Sequence, residues 1–262
     1  MNRNIFAIAV LIVAFTTNYA FASSNPSGTI AAPERVIPFA KMVEQELASR
    51  GARVAIVARV GRDPKDLPSG IEYTHVGLWV YSDITLPNGE TVNGYAVHNL
   101  YQLGNNPDRS ELVRDFPAEF FGDVYQLRAG IIVPEPAVQE RLLNFISSPA
   151  YSQLHVPAYS LIANPHERKF QNCTNFVLSA VIGAVYQTGN SADILDHIRQ
   201  YYQPQKIGVS GLERLFGSIF MPGVAVSDQG RDIQTSTFKS LERFMKKFNL
   251  ASEAFVITED NA

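Results

Sequence analysis

Apolar positions change their period along the chain, and each change marks an element. Phe39, Met42, Val43 and Leu47 recur at helical spacing after Pro38, a residue suited to a first helical turn, and Gly51 ends the run. Ala52 to Val60 is short and rich in β-branched residues, which predicts a strand. Gly61 to Gly70 holds two prolines, two glycines and four charges, the composition of a loop. Strands are predicted over Tyr73 to Tyr81 and Thr91 to Gln102, where Val76, Leu78 and Val80 alternate toward one face and leave His75 on the other. Pro87-Asn88-Gly89 between them is a hairpin signal, because Asn-Gly tolerates the positive φ of a tight turn. Leu103 to Ser110 reads as a polar loop and Asp115 to Phe121 as an aromatic patch.

The second half returns to helical spacing. Val124 to Val133 predicts a strand closed by Pro134, and Val138, Leu142, Phe145 and Ile146 then mark an amphipathic helix. Thr174 to Tyr186 is apolar on almost every side, as a central buried helix is, with Gly189 as its stop. Asp193 to Tyr202 predicts a helix with Ile194, Ile198 and Tyr201 inward. Phe238, Leu241, Phe244, Met245 and Phe248 predict another, followed by a short strand over Ala254 to Thr258. The sum is one α+β domain over residues 35–262, built around a small, largely antiparallel sheet.

The start of the chain carries a different signal. Asn2-Arg3, the apolar run Ile5 to Phe15 and the small residues of Ala20-Phe21-Ala22 together predict a secretory signal cleaved after Ala22. Its apolar run is shorter than the roughly 20 residues that span a bilayer, and no later stretch is long enough. Ser23 to Glu34 reads as a flexible leader. The mature protein is therefore expected in the periplasm or outside the cell. At 46% hydrophobic and 18% charged, with net charge −3, the composition excludes disorder and offers nucleic acid no basic footprint.

Export changes the meaning of the single cysteine. An exported chain usually has paired cysteines or none, so the lone Cys173 is inert and buried, a link between two chains, or a reactive thiol. Its position favours the last. It opens the predicted buried helix, where unpaired N–H groups and the helix dipole favour thiolate. A thiol nucleophile needs a base, and a third group to orient it. Among five histidines, His197 reads as an exposed partner of Asp193, and His155 and His166 as surface loop residues. His75 opens a strand and faces away from that strand's apolar side.

His75-Val76-Gly77 opening a strand and Cys173-Thr174-x-Phe176-Val177 opening a buried helix resemble the papain-like amidases of the NlpC type. His75 precedes Cys173, as in the circularly permuted branch that includes lecithin:retinol acyltransferase relatives. The longer pattern, notably Phe39 to Gln102 and Tyr159 to Val177, also resembles an uncharacterised family of exported bacterial proteins. The resemblance implies a permuted papain-like α+β fold with a small sheet packed on the helix that starts at Cys173. It also implies a Cys–His hydrolase or acyltransferase acting on a cell-wall peptide, a lipid or a modified protein. A catalytically inactive binding or assembly factor of the same fold is the alternative.

The orienting residue follows from strand register. A two-residue loop at Asn88-Gly89 pairs Pro87 with Glu90 and sets Gln102 opposite His75, which makes Gln102 the first candidate. His98 lies four residues away in that register, about 13 Å at strand rise, although the resemblance points to its sequence context. A longer or bulged connection brings His98 or Asn99 into place instead. Tyr159 and Asn172 are candidates for the oxyanion site or substrate contact, with a core aromatic as the plainer reading of Tyr159. The Cys173 amide is the better oxyanion donor. No metal, phosphate-loop or serine-elbow motif is present, so no cofactor is expected.

Overall fold

The structure is a computed structural model that describes residues 31–85, 88–208 and 223–261. The expected signal peptide, most of the expected leader, and Pro87 of the hairpin lie outside the described residues. No helix of the described residues is long and apolar enough to cross a membrane.

Helix α1 (Pro33–Ser49) begins five residues before Pro38, because Pro33 occupies the first turn and Pro38 is carried inside the helix. The last residues of the expected leader are therefore helical. Gly51, with φ of 64°, then turns the chain as expected. Strand β1 (Val54–Val60) is buried along its whole length. Strands β2 (His75–Thr85) and β3 (Thr91–Leu103) form the hairpin. The stretch read as a polar loop is instead mostly strand β4 (Asn106–Asp115), which pairs with β3. Its polar residues fit an edge strand with one side open to water, and Pro107 is tolerated there for the same reason. The short helix α2 (Pro117–Phe120) follows, then β5 (Gln126–Pro134), α3 (Pro136–Ile146) and α4 (Pro149–Gln153).

Helix α5 (Cys173–Tyr186) has Asn172 as its N-cap, the Asn172 Oδ1 accepting from the Asn175 amide at 2.8 Å. It ends at Gln187 in the left-handed region, ahead of the predicted Gly189. Helix α6 (Ser191–Tyr201), strands β6 (Gln205–Ile207) and β7 (Ile233–Thr235), helix α7 (Phe238–Lys247) and strand β8 (Ala251–Thr258) complete the chain.

Six strands form one antiparallel sheet in the order β4-β3-β2-β1-β5-β8, and β6 and β7 form a separate ribbon. Helices α3, α5 and α7 cover one face, where Val54, Ile56, Val76, Leu78 and Leu100 meet Phe176, Val177 and Leu241. Helices α1 and α2 cover the other, where Ala55, Val57, Trp79, Tyr95 and Val97 meet Phe39, Val43, Phe120 and Phe121. The aromatic residues Trp79, Phe120 and Phe121 are thus packing residues of this second face.

Candidate active site

The hairpin register differs from the expected one by a single residue. Leu78 pairs with His98, and Thr85 with Thr91, so the connection is longer than a two-residue loop. A one-residue slip turns every side chain of β3 to the opposite face. Gln102 is therefore turned away from His75, and its Nε2 donates to the Pro107 carbonyl at 2.7 Å. His98 is also on the α5 face, edge-on to Tyr151, with burial pushing its imidazole down to about 4. Neither of these two predicted partners orients His75.

Asn99 does. Its Oδ1 lies 2.9 Å from His75 Nε2, and its Nδ2 donates to Asp115 Oδ2 at 3.0 Å. The hydroxyl of Tyr101 donates to the same carboxylate oxygen at 2.6 Å, and its ring stacks on the imidazole with centroids 4.7 Å apart. An ionised Asp115 can only accept, so the Asn99 amide points its NH2 at Asp115 and its oxygen at His75. His75 Nε2 consequently carries the ring proton. Nδ1 is left as the acceptor.

Gly77 makes this pairing possible. A Cβ built at Gly77 would lie 2.6 Å from Asn99 Oδ1 and 3.2 Å from the Phe120 ring. The glycine of His-Val-Gly is thus needed for space, since its backbone has no positive φ.

Cys173 approaches from the other face. The β2–β3 ladder stops at Leu78↔His98, which leaves the Val76 amide outside it. That amide donates toward the Cys173 sulfur, and the Thr174 amide and hydroxyl add to it. The sulfur therefore rests on the main chain of the residue that follows His75. No hydrogen bond joins Cys173 to His75 among the described residues. Burial is the largest influence on the thiol and pushes it above its ordinary value, so the helix start alone does not make a thiolate, contrary to expectation. Burial likewise pushes His75 down to about 3, with the charge of Arg59 acting in the same direction. Burial thus disfavours the charged form of both groups.

A pocket of about 90 Å³ opens onto Cys173. Tyr159 and Asn172 line it, as do Ile71, Tyr73, Leu161 and Ile162, which make one wall apolar, while Thr235 and Thr237 stand among its polar residues. Asn172 spends its amide protons on the Leu161 carbonyl and Thr235 Oγ1, both at 3.1 Å. It fastens the pocket segments to the helix and has no proton left for an oxyanion. The Cys173 amide, in the first turn of α5, has no intrahelical acceptor.

The remaining histidines have structural partners. His155 Nε2 meets Ser110 Oγ at 3.0 Å, and His166 Nε2 donates to the Tyr202 carbonyl at 3.2 Å. His197 stacks on Tyr186 at 3.5 Å in place of pairing with Asp193. Sequence reasoning missed Asp115, hidden in the aromatic patch, and Arg59, hidden in an apolar strand. No group of acidic, histidine or cysteine side chains among the described residues is arranged to hold a metal ion.

Residues 46–245 match the model of a family of uncharacterised proteins conserved in bacteria (DUF2145), and the chain belongs to that family. No curated protein and no solved structure matches it.

Proposed function

We propose that this chain is an exported thiol hydrolase or acyltransferase of permuted papain-like fold, acting on an amide or ester carbonyl. The observation that carries the reading is the oriented imidazole. His75 is held by Asn99 through Nε2, and Asn99 in turn by Asp115, while the amide of the next residue, Val76, points to the Cys173 sulfur at the head of a pocket. Such a chain of bonds fixes one tautomer and aims one basic nitrogen.

In the attack, the Cys173 proton passes to His75 Nδ1 as the S–C bond forms and the carbonyl electron pair moves to oxygen. The Cys173 amide donates to that oxygen. Collapse breaks the bond to the leaving group, which takes the proton from Nδ1. Water, or an acceptor hydroxyl or amine, then gives its proton to Nδ1, attacks the thioester and releases the acyl group. The proton returns to sulfur. Sulfur and Nδ1 must come into contact for the first step. Catalytic hydrogen bonds are often long in an empty site and tighten with substrate.

The test uses p-nitrophenyl acetate as acyl donor and mass spectrometry of the protein. Acetylation is expected at Cys173, about 10²-fold slower in His75→Gln. Acetylation elsewhere, or an equal rate in His75→Gln, overturns the reading and leaves the binding factor.

A further inference from the structure

The pocket in front of Cys173 is lined by charge of one sign. Its walls are apolar at Leu67, Ile71, Leu161 and Ile162 and hydroxyl-bearing at Thr74 and Thr235, and among the described residues that line it Arg62 is the charged one. The chain fixes where that cation starts. Arg62 stands just beyond β1, and the Gly61 amide before it donates to Thr74 Oγ1 at 2.8 Å. The Thr74 amide in turn donates to the Arg59 carbonyl at 3.0 Å. Thr74 lines the same pocket and directly precedes His75, so the root of Arg62 is pinned to the strand ends at which Cys173 also lies.

The other charges of this segment do not enter the pocket. Asp63 accepts from the Lys65 amide at 2.9 Å and from the Tyr125 hydroxyl at 2.8 Å. Lys65 and Asp66 are exposed, and Asp66 is the acid that acts on Arg62. A guanidinium carries five donors in a fixed fork, so one exposed carboxylate does not exhaust it. The same planar fork matches a carboxylate in two parallel bonds. Size limits what can bring that carboxylate: the pocket holds about 90 Å³, against the roughly 150 Å³ of a cavity that takes benzene. Only a short chain fits between the sulfur and the cation.

We propose that Arg62 is a specificity-determining residue that binds a carboxylate carried by the acyl group, so that the substrate is a short carboxylated acyl donor of about succinyl size. The apolar wall takes the carbons between the two ends. The carboxylate stays ionised throughout, and no bond to it forms or breaks. The inference rests on the proposed function, in which Cys173 attacks the acyl carbonyl.

The N-acetylcysteamine thioesters of succinic and butyric acid have equal chain length and differ in the carboxylate. Offered to the full chain, each transfers its acyl group to Cys173, whose proton leaves on N-acetylcysteamine, and mass spectrometry follows the reaction. The wild type is expected to take succinyl about 10-fold faster than butyryl, as a charge-assisted hydrogen bond allows. In Arg62→Gln the ratio is expected to fall to about one, and Arg62→Lys, which keeps the charge without the fork, is expected to keep part of it. A second measurement needs no acyl transfer and no variant: succinate slows alkylation of wild-type Cys173 by iodoacetamide, and neutral succinamide does not. Equal acylation by the two thioesters, or a preference that survives in folded Arg62→Gln, overturns the inference and leaves the hydrolase reading standing. Protection by succinate without acylation by either thioester keeps the carboxylate site and overturns the hydrolase reading.

Discussion

The face of the sheet under α5 and the face under α1 and α2 are made from alternate residues of the same strands, but it is the second that carries the polar network around His75. Under α5 the strands offer Ile56, Ala58, Val76 and Leu78 to Phe176, Val177 and Leu178. On the other face, at the end where the β2–β3 ladder opens, the same strands carry Arg59, His75, Asn99 and Tyr101, and β4 adds Asp115. The sulfur belongs to the helix of the first face and the oriented imidazole to the second. A site built through a sheet in this way depends on register and on the space between strands. Helix packing alone does not supply it.

Two substitutions separate the faces. Gly77→Ala places a methyl group 2.6 Å from Asn99 Oδ1, so the amide has to leave His75. Overpacking of this kind costs about 1–3 kcal/mol, and acyl transfer is expected to fall about 10²-fold as the oriented base is lost. Leu178→Ala empties a fully buried position under α5. It is expected to cost about 2–5 kcal/mol in urea unfolding, with the acylation rate of the folded protein within about 2-fold of wild type. Equal losses of acylation in the two variants would mean that the faces are not functionally distinct.

The elements on the α5 face were legible because burial there repeats with helix and strand periods. Cys173 at a helix start was legible through the apolar run behind it, and Asn172 supplies the cap that fixes the start. Register was not legible. It is set by the length of the connection between Thr85 and Thr91, where Asn-Gly suggested the shortest hairpin, and one residue of difference exchanged Gln102 for Asn99. Strand β4 was hidden by its polar edge composition, and Asp115 was hidden with it. Arg59 stood as one charge in a run of valine and alanine, a pattern that shows burial of the strand but not the fate of the guanidinium.

The polar network also leaves a pH signature that the apolar face cannot. His75 is held at about 3 in the folded protein against an ordinary 6.5, so the stability it contributes is full above pH 6.5 and is lost as pH falls toward 3. Asp115 is raised by burial to about 6 from 3.8, so its effect has the opposite sign: stability is full below 3.8 and is lost as pH rises through 6. Between about pH 4 and 6 the two slopes oppose each other, and their sum is expected to be nearly flat in urea unfolding midpoints. Asp115→Asn removes the falling component, so stability should then rise with pH across this window. His75→Gln removes the rising one, so stability should fall. The effect is the smallest of those considered, but it is tied to this face alone, since Leu178→Ala lowers the whole curve without tilting it. If neither variant tilts the curve, the two groups are not buried together as the geometry has them.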